Sequence, residues 1–250
     1  MKEIIAISNQ KGGVGKSTTA NALGAGLFHK GYRVLYVDID AQGNLSYSMG
    51  ATAGAISSLE VITGTATARE SIIKTEQGDL IPSSPALASA DLIIKGTGRE
   101  YKLKEALEPI LGDYDYIVLD TPPALGTLTI NALTACNSVI VPAQADIFSL
   151  QGVGQLVQTV KTIQRYTNKD LTIKGLLVTR YNVRAVLTRD MTEMLEDTAN
   201  QLQTKLFNTR VRECIALKEA QVRQQDIFTY SPKSNATADY TAFIEEVLEK

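Results

Sequence analysis

Tryptophan is absent from this chain, histidine occurs once (His29), and two cysteines, Cys136 and Cys214, are spread over 250 residues. Neither cysteine belongs to a CxxC pair or lies near a histidine cluster. That argues against a zinc site, an iron–sulfur ligand set and a disulfide framework, and fits a reducing compartment. Long apolar runs are missing too. No stretch approaches the roughly 18 apolar residues of a spanning helix, and the N-terminal run Ile4-Ile5-Ala6-Ile7 reaches polar residues too soon for a signal peptide. Charge of one sign is not in excess: 25 Lys+Arg stand against 27 Asp+Glu. A polyanion would therefore have to be held by a local patch. What remains is an ordinary globular composition, 44% hydrophobic and 21% charged. A chain of this length buries about three-quarters of its unfolded surface and needs no metal or disulfide to do so. We expect one domain over residues 1–250, located in the cytoplasm.

Short β-branched runs alternate with segments of helical period. Strands are expected at Ile4 to Ser8, Arg33 to Asp38, Leu80 to Pro82, Tyr116 to Asp120, Ser138 to Pro142 and Ile173 to Thr179. Helices are expected at Ser17 to Lys30, Gly154 to Tyr166, Thr188 to Phe207 and Ala236 to Lys250. Runs such as Ile117-Val118-Leu119 predict burial on both faces, as in a parallel sheet covered by helices. The fold class is α/β, doubly wound, with a mostly parallel sheet. Residues 50–67, rich in Ala, Thr, Ser and Gly, read as a loop with a short helix.

Directly after the first strand comes Lys11-Gly12-Gly13-Val14-Gly15-Lys16-Ser17-Thr18, then an Ala/Leu-rich helix. Glycines let backbone N–H groups fold around phosphate oxygens, and the helix N-terminus adds a favourable dipole. Lys16 brings a point charge to the β- and γ-phosphates, and the Ser17 hydroxyl is a Mg²⁺ ligand. The strict GxxxxGK[ST] pattern fails because Gln10 holds its first glycine position, and a second lysine, Lys11, opens the loop. Two acidic strand ends belong to the same edge: Asp38-Ile39-Asp40-Ala41-Gln42-Gly43-Asn44 and Asp120-Thr121-Pro122-Pro123. Taken alone, each aspartate reads equally well as a helix N-cap. Beside a phosphate loop, Asp120 reads as holding a Mg²⁺-bound water and Asp40 as orienting the attacking water.

These motifs resemble the deviant Walker ATPases of the ParA/Soj partition family. The loop matches that family's KGGVGK[ST]T, residues 38–44 match DxDPQGN with Ala41 in place of Pro, Tyr114 to Pro123 resembles YDYIxxDxPP, and Tyr230 to Ser234 resembles YDPxS. The resemblance implies a P-loop ATPase that uses ATP and Mg²⁺ and dimerises on ATP. It implies that Lys11 reaches a nucleotide across the dimer interface, that Lys16 is the ordinary P-loop lysine, that Ser17 binds Mg²⁺ directly and Asp120 through water, and that Asp40 positions water. It further implies nonspecific double-stranded DNA and a ParB-like DNA-bound adaptor as partners, nucleoid association, and partitioning of a chromosome, plasmid or mobile element. Thr179 is nominated as a nucleotide contact from its strand-end position.

DNA contact is where the sequence departs from the family. The arginine that relatives carry within PRxVRLSEAP is Ala216 here, whereas Arg184 matches a second basic position. Arg212, Lys218, Arg223 and Lys233 are the other candidates. Lys161 to Ser234 holds 13 Lys/Arg and 8 Asp/Glu, a local excess of five positive charges. The same excess also describes solvated helix faces. Alternatives are a MinD-like protein-positioning ATPase without DNA binding and a small-molecule ATP-dependent ligase of the same superfamily. The acidic ending Phe243 to Lys250 disfavours a membrane anchor, and unmatched cysteines disfavour an iron protein. Cys136 reads as a helix-end or core residue and His29 as solvent-exposed.

Overall fold

The computed structural model describes residues 1–51, 56–182 and 186–249. Its strands are β1 (Glu3–Ile7), β2 (Val34–Asp38), β3 (Ile73–Thr75), β4 (Gly78–Ile81), β5 (Tyr116–Asp120), β6 (Ser138–Gln144), β7 (Thr172–Tyr181) and β8 (Leu206–Arg212). Among the described residues they form one sheet in the order β3-β4-β2-β5-β1-β6-β7-β8. β3 and β4 are antiparallel and every other neighbouring pair is parallel. Side chains alternate between two cores, as the two-residue period requires. Ile4, Ala6, Leu35 and Val37 enter one, while Ile5, Ile7, Val34 and Tyr36 enter the other. The doubly wound α/β expectation holds.

Helix α1 (Lys16–His29) leaves β1 through the glycine loop and lies almost wholly buried. Its small residues allow this. At Gly24 an added Cβ would come within 2.2 Å of the Tyr36 ring, so the helix approaches the sheet more closely than any side chain permits. Because the chain goes from β1 towards β2 on one side and from β6 towards β7 on the other, β1 and β6 flank a switch point. A crevice opens there at the carboxyl ends of the strands.

Several boundaries differ from expectation. The segment read as one helix from Thr188 to Phe207 is a helix, Val186–Gln201, followed by β8. β8 is an edge strand with polar Asn208, Thr209 and Arg210 in its middle, so it lacks the apolar run by which the inner strands announce themselves. The helix expected from Gly154 begins earlier, at Ile147, because Asp146 caps it by accepting the Ser149 N–H at 2.9 Å. Residues 50–67 do contain a short helix, Ser58–Thr63, with a Ser57–Glu60 capping box. Cys136 is buried at the end of the helix Thr127–Ala135, as read. His29 is about half exposed but not idle: its Nε2 lies 3.2 Å from the buried Asp226 carboxylate. At the free edge of β8, Glu246 of the helix Asn235–Leu248 accepts the backbone N–H groups of Asn208 and Thr209, both at 2.7 Å.

Candidate nucleotide and cation site

The sheet register assembles the acidic half of the site. Asp120 ends β5 opposite Ile7 of β1 on one side and Asp38 of β2 on the other. All three carboxylates, Asp38, Asp40 and Asp120, are buried, and Lys16 lies among them at 7% exposure. Burial depresses the Lys16 ammonium, while Asp120 and Asp40 pull it back up. Asp38 is pushed to about 6 by burial, although the Ser46 hydroxyl (2.7 Å), the Ser46 N–H (2.8 Å) and the Asp40 N–H (3.1 Å) all donate to it.

Asp120 differs in kind. Its carboxylate is fully buried and, among the described residues, neither oxygen has a partner at full hydrogen-bond geometry, the Ser17 hydroxyl being a donor that acts on it more loosely. Burial drives its pKa far above the carboxylate range and Asp38 adds repulsion, with Ser17 and Lys16 pulling the other way. An orphaned carboxylate beside a hydroxyl is the donor set a hard divalent cation takes, so the residues fit Mg²⁺.

The phosphate half is built by backbone. Gly13 (φ +77°) and Gly15 (φ +86°) adopt left-handed conformations that turn the loop, and Gly15 is the N-cap of α1. Neighbouring strands hold the loop in place: the Gln144 side chain donates to the Gly13 carbonyl at 3.0 Å and the Thr179 hydroxyl to the Val14 carbonyl at 2.7 Å. Lys16, Ser17 and Asp40 face a cleft of about 570 Å³ that also includes Gly12, Gly13 and Thr18. A side pocket behind Gly15 and Thr18 is lined by Thr179, Arg180, Cys214 and Leu217. Thr179, nominated as a nucleotide contact, spends its hydroxyl on the loop and presents its methyl side near Gly15.

The Lys16 ammonium donates to the Lys11 carbonyl at 3.4 Å, but the Lys11 side chain takes another course. Its ammonium turns away from the loop, ion-pairs with Asp146, and approaches Gln144 Oε1 (3.3 Å) and Ser149 Oγ (3.5 Å). Burial tends to raise Asp146, but the Lys11 bond and the Ser149 N–H hold its carboxyl below the ordinary value. Sequence reading missed Asp146, which lies far from every motif and is marked only as a helix cap. It also gave no role to Asp38, whose side chain supports the Asp40 turn.

The DNA candidates are scattered. Arg212 is engaged with Asp239 through two nitrogens, at 2.6 Å and 2.9 Å. Lys218, Arg223 and Lys233 are exposed, and Lys218 borders the phosphate cleft. Arg184 lies outside the described residues. Ala216 lies on the buried face of the helix Ile215–Val222. On that helix Ile215 and Val222 are 65% and 70% exposed and share an outer face with Lys218.

A family model described as an AAA domain matches residues 2–173. The chain is 39% identical over 252 residues to the sporulation initiation inhibitor protein Soj of Bacillus subtilis, covering 99% of this chain and 98% of that protein. It is 34% identical over 252 residues to the chromosome partitioning protein ParA of Myxococcus xanthus, covering 99% and 88%. A solved structure described as cobyrinic acid a,c-diamide synthase from Mycobacterium smegmatis, with bound ADP and magnesium, is similar with a TM-score of 0.86 at 35% identity, covering 99% of this chain and 94% of that one.

Proposed function

The chain belongs to the ParA/Soj family of P-loop ATPases, and on that premise we propose that it is a Mg²⁺-dependent ATPase acting as a dimerisation switch in DNA partitioning. The observation that carries the ATPase reading is the buried Asp120 carboxylate, short of hydrogen-bond partners, beside Ser17 and Lys16. Such a group is costly alone and is stabilised by a cation. Ser17 directly, and Asp120 through water, would hold Mg²⁺, which supplies positive charge to the β- and γ-phosphates when bound. The N–H groups of residues 12–18 cradle the phosphates, and Lys16 neutralises charge that grows on the γ-phosphoryl group. Asp40, whose turn is fixed by Asp38 and by Gln42 donating to it at 3.1 Å, orients the attacking water.

Dimerisation rests on Lys11. In the single chain Lys11 is held by Asp146; on ATP binding it exchanges that carboxylate for the partner's nucleotide. The dimer then presents two sets of exposed cations, Lys218, Arg223 and Lys233, to one duplex and gains affinity by effective concentration. A ParB-like DNA-bound adaptor acts as the partner that stimulates hydrolysis, and the ATP-bound dimer resides on the nucleoid.

Calorimetry with ATP, with and without Mg²⁺, tests the site, and light scattering with a slowly hydrolysed ATP analogue tests the switch. Mg²⁺-dependent binding and a doubled mass are expected. Equal ATP affinity without Mg²⁺ and a persistent monomer would end the reading. The likeness to the M. smegmatis structure favours one other reading, a small-molecule ligase. It requires phosphate release that depends on a small acceptor and is indifferent to Lys11→Ala, so that variant separates the two.

A further inference from the structure

Behind the phosphate loop, on the α1 side of the sheet, three elements meet at one buried amide. Gln77 sits at the tip of the β3–β4 hairpin and is 5% exposed. Its Oε1 accepts from Asn21 Nδ2 of α1 at 2.8 Å. Its Nε2 donates to the Ser48 carbonyl, at the end of the helix Asn44–Ser48, at 3.4 Å, and to the Gln224 carbonyl, just beyond the helix Ile215–Val222, at 3.2 Å. The last carbonyls of a helix have no partner within it. A primary amide offers one acceptor and two donors, so Gln is suited to all three contacts. Glu has no donor, and Asn is shorter.

The hairpin itself is fixed. Tyr36 Oη donates to the Gln77 carbonyl at 3.2 Å, and the Gln77 N–H donates to Thr75 Oγ1 at 3.1 Å. The elements it joins flank the proposed nucleotide site. The helix Asn44–Ser48 continues directly from the Asp40 turn, and the helix Ile215–Val222 borders the cleft and carries Lys218. Gly50 lies close by as well: a Cβ added there would come within 3.5 Å of the Gln224 side chain.

We infer that Gln77 is a positioning residue that ties the Asp40 turn to the helix Ile215–Val222, so that the nucleotide state sensed at the phosphate end sets the position of the face that carries Lys218 to DNA. This rests on the ATPase reading of the cleft. Gln77 lies outside the lining of the phosphate cleft and acts through the Ser48 and Gln224 carbonyls, while Asn21 holds its oxygen.

Hydrogen exchange of the full chain, with and without Mg²⁺ and a slowly hydrolysed ATP analogue, tests it at a concentration where the Lys11→Ala background keeps every sample monomeric. With Gln77 intact, the analogue slows exchange in residues 10–18, 44–49 and 219–226. Gln77→Glu keeps the side chain's shape but removes both donors. It is expected to retain the slowing in 10–18 and 44–49 and to lose at least two-thirds of that in 219–226. Gln77→Met, uncharged and of similar length, gives the same pattern and serves if the glutamate variant does not fold. The inference is overturned if 219–226 responds equally with and without the amide, if it fails to respond when Gln77 is intact, or if all three segments lose their response together. Absence of slowing in 10–18 with Gln77 intact would instead refute the ATPase reading on which the inference rests.

Discussion

The carboxyl edge formed by β1, β2 and β5 and the stretch from β8 through Lys233 carry charge in opposite ways. At the edge, Lys16, Asp38, Asp40 and Asp120 are all buried and fixed against each other by strand register and hydrogen bonds. Along the later stretch, Lys218, Arg223 and Lys233 stand exposed, and Arg212 is tied to Asp239. Buried charges act through geometry and lose function all at once when one is removed. Exposed cations act through a summed field, so each contributes a little and salt screens them.

Substitutions in the two regions sharpen that contrast, taken from the largest expected effect to the smallest. Lys16→Ala removes the cationic side chain placed among the buried carboxylates, and ATP affinity measured by calorimetry should fall by about 100-fold or more, the scale of a lost charge-assisted contact in a site shielded from water. Asp40→Ala leaves the cradle intact. ATP binding should stay within a few-fold while steady-state hydrolysis drops by about 100-fold, the usual contribution of a positioned base. Asp146→Asn releases Lys11 from its ion pair. The ATP-dependent dimer should then form at an analogue concentration lower by about three- to ten-fold, the range of a partly exposed ion pair, and Lys11→Ala should abolish the dimer on either background. Smallest is the effect on the exposed side. Lys218→Ala should leave the thermal midpoint unchanged and flatten the log–log salt dependence of duplex binding by about one per lost phosphate contact in each subunit. Arg212→Ala should instead lower the midpoint by a few degrees, because Asp239 loses its partner. If Lys218→Ala proved as damaging as Lys16→Ala, the two regions would not differ in the way described.

How much was legible in the sequence follows the same division. The phosphate loop, Asp40 and Asp120 were readable because a strand, a glycine turn and a helix in succession leave the chain few ways to fold. The apolar strands then place both aspartates at one edge. Asp146 was not readable: β6 adjoins β1 only in three dimensions, and nothing in Gln144-Ala145-Asp146 signals that Lys11 lies against it. The assignment of Arg212 as a DNA contact came from charge alone, and charge does not reveal whether a carboxylate such as Asp239, on a helix much later in the chain, already holds the guanidinium. β8 escaped because strand signals depend on burial, and an edge strand has half of it. Gln77 escaped because a polar residue at a hairpin tip is expected in water, whereas two helix ends fold over this one.

The Glu246 carboxylate at the rim of β8 has a consequence for how copies of the molecule meet. An outer strand with free N–H groups is a template on which another chain can add its own strand, and such additions continue without limit. Here the carboxylate already occupies the Asn208 and Thr209 donors and sets a negative charge where an incoming backbone would bring its carbonyls. Self-association through this strand is thereby discouraged. Replacing Glu246 by a small neutral residue should uncover those donors and raise the tendency to irreversible aggregation, read as light scattering that grows on storage.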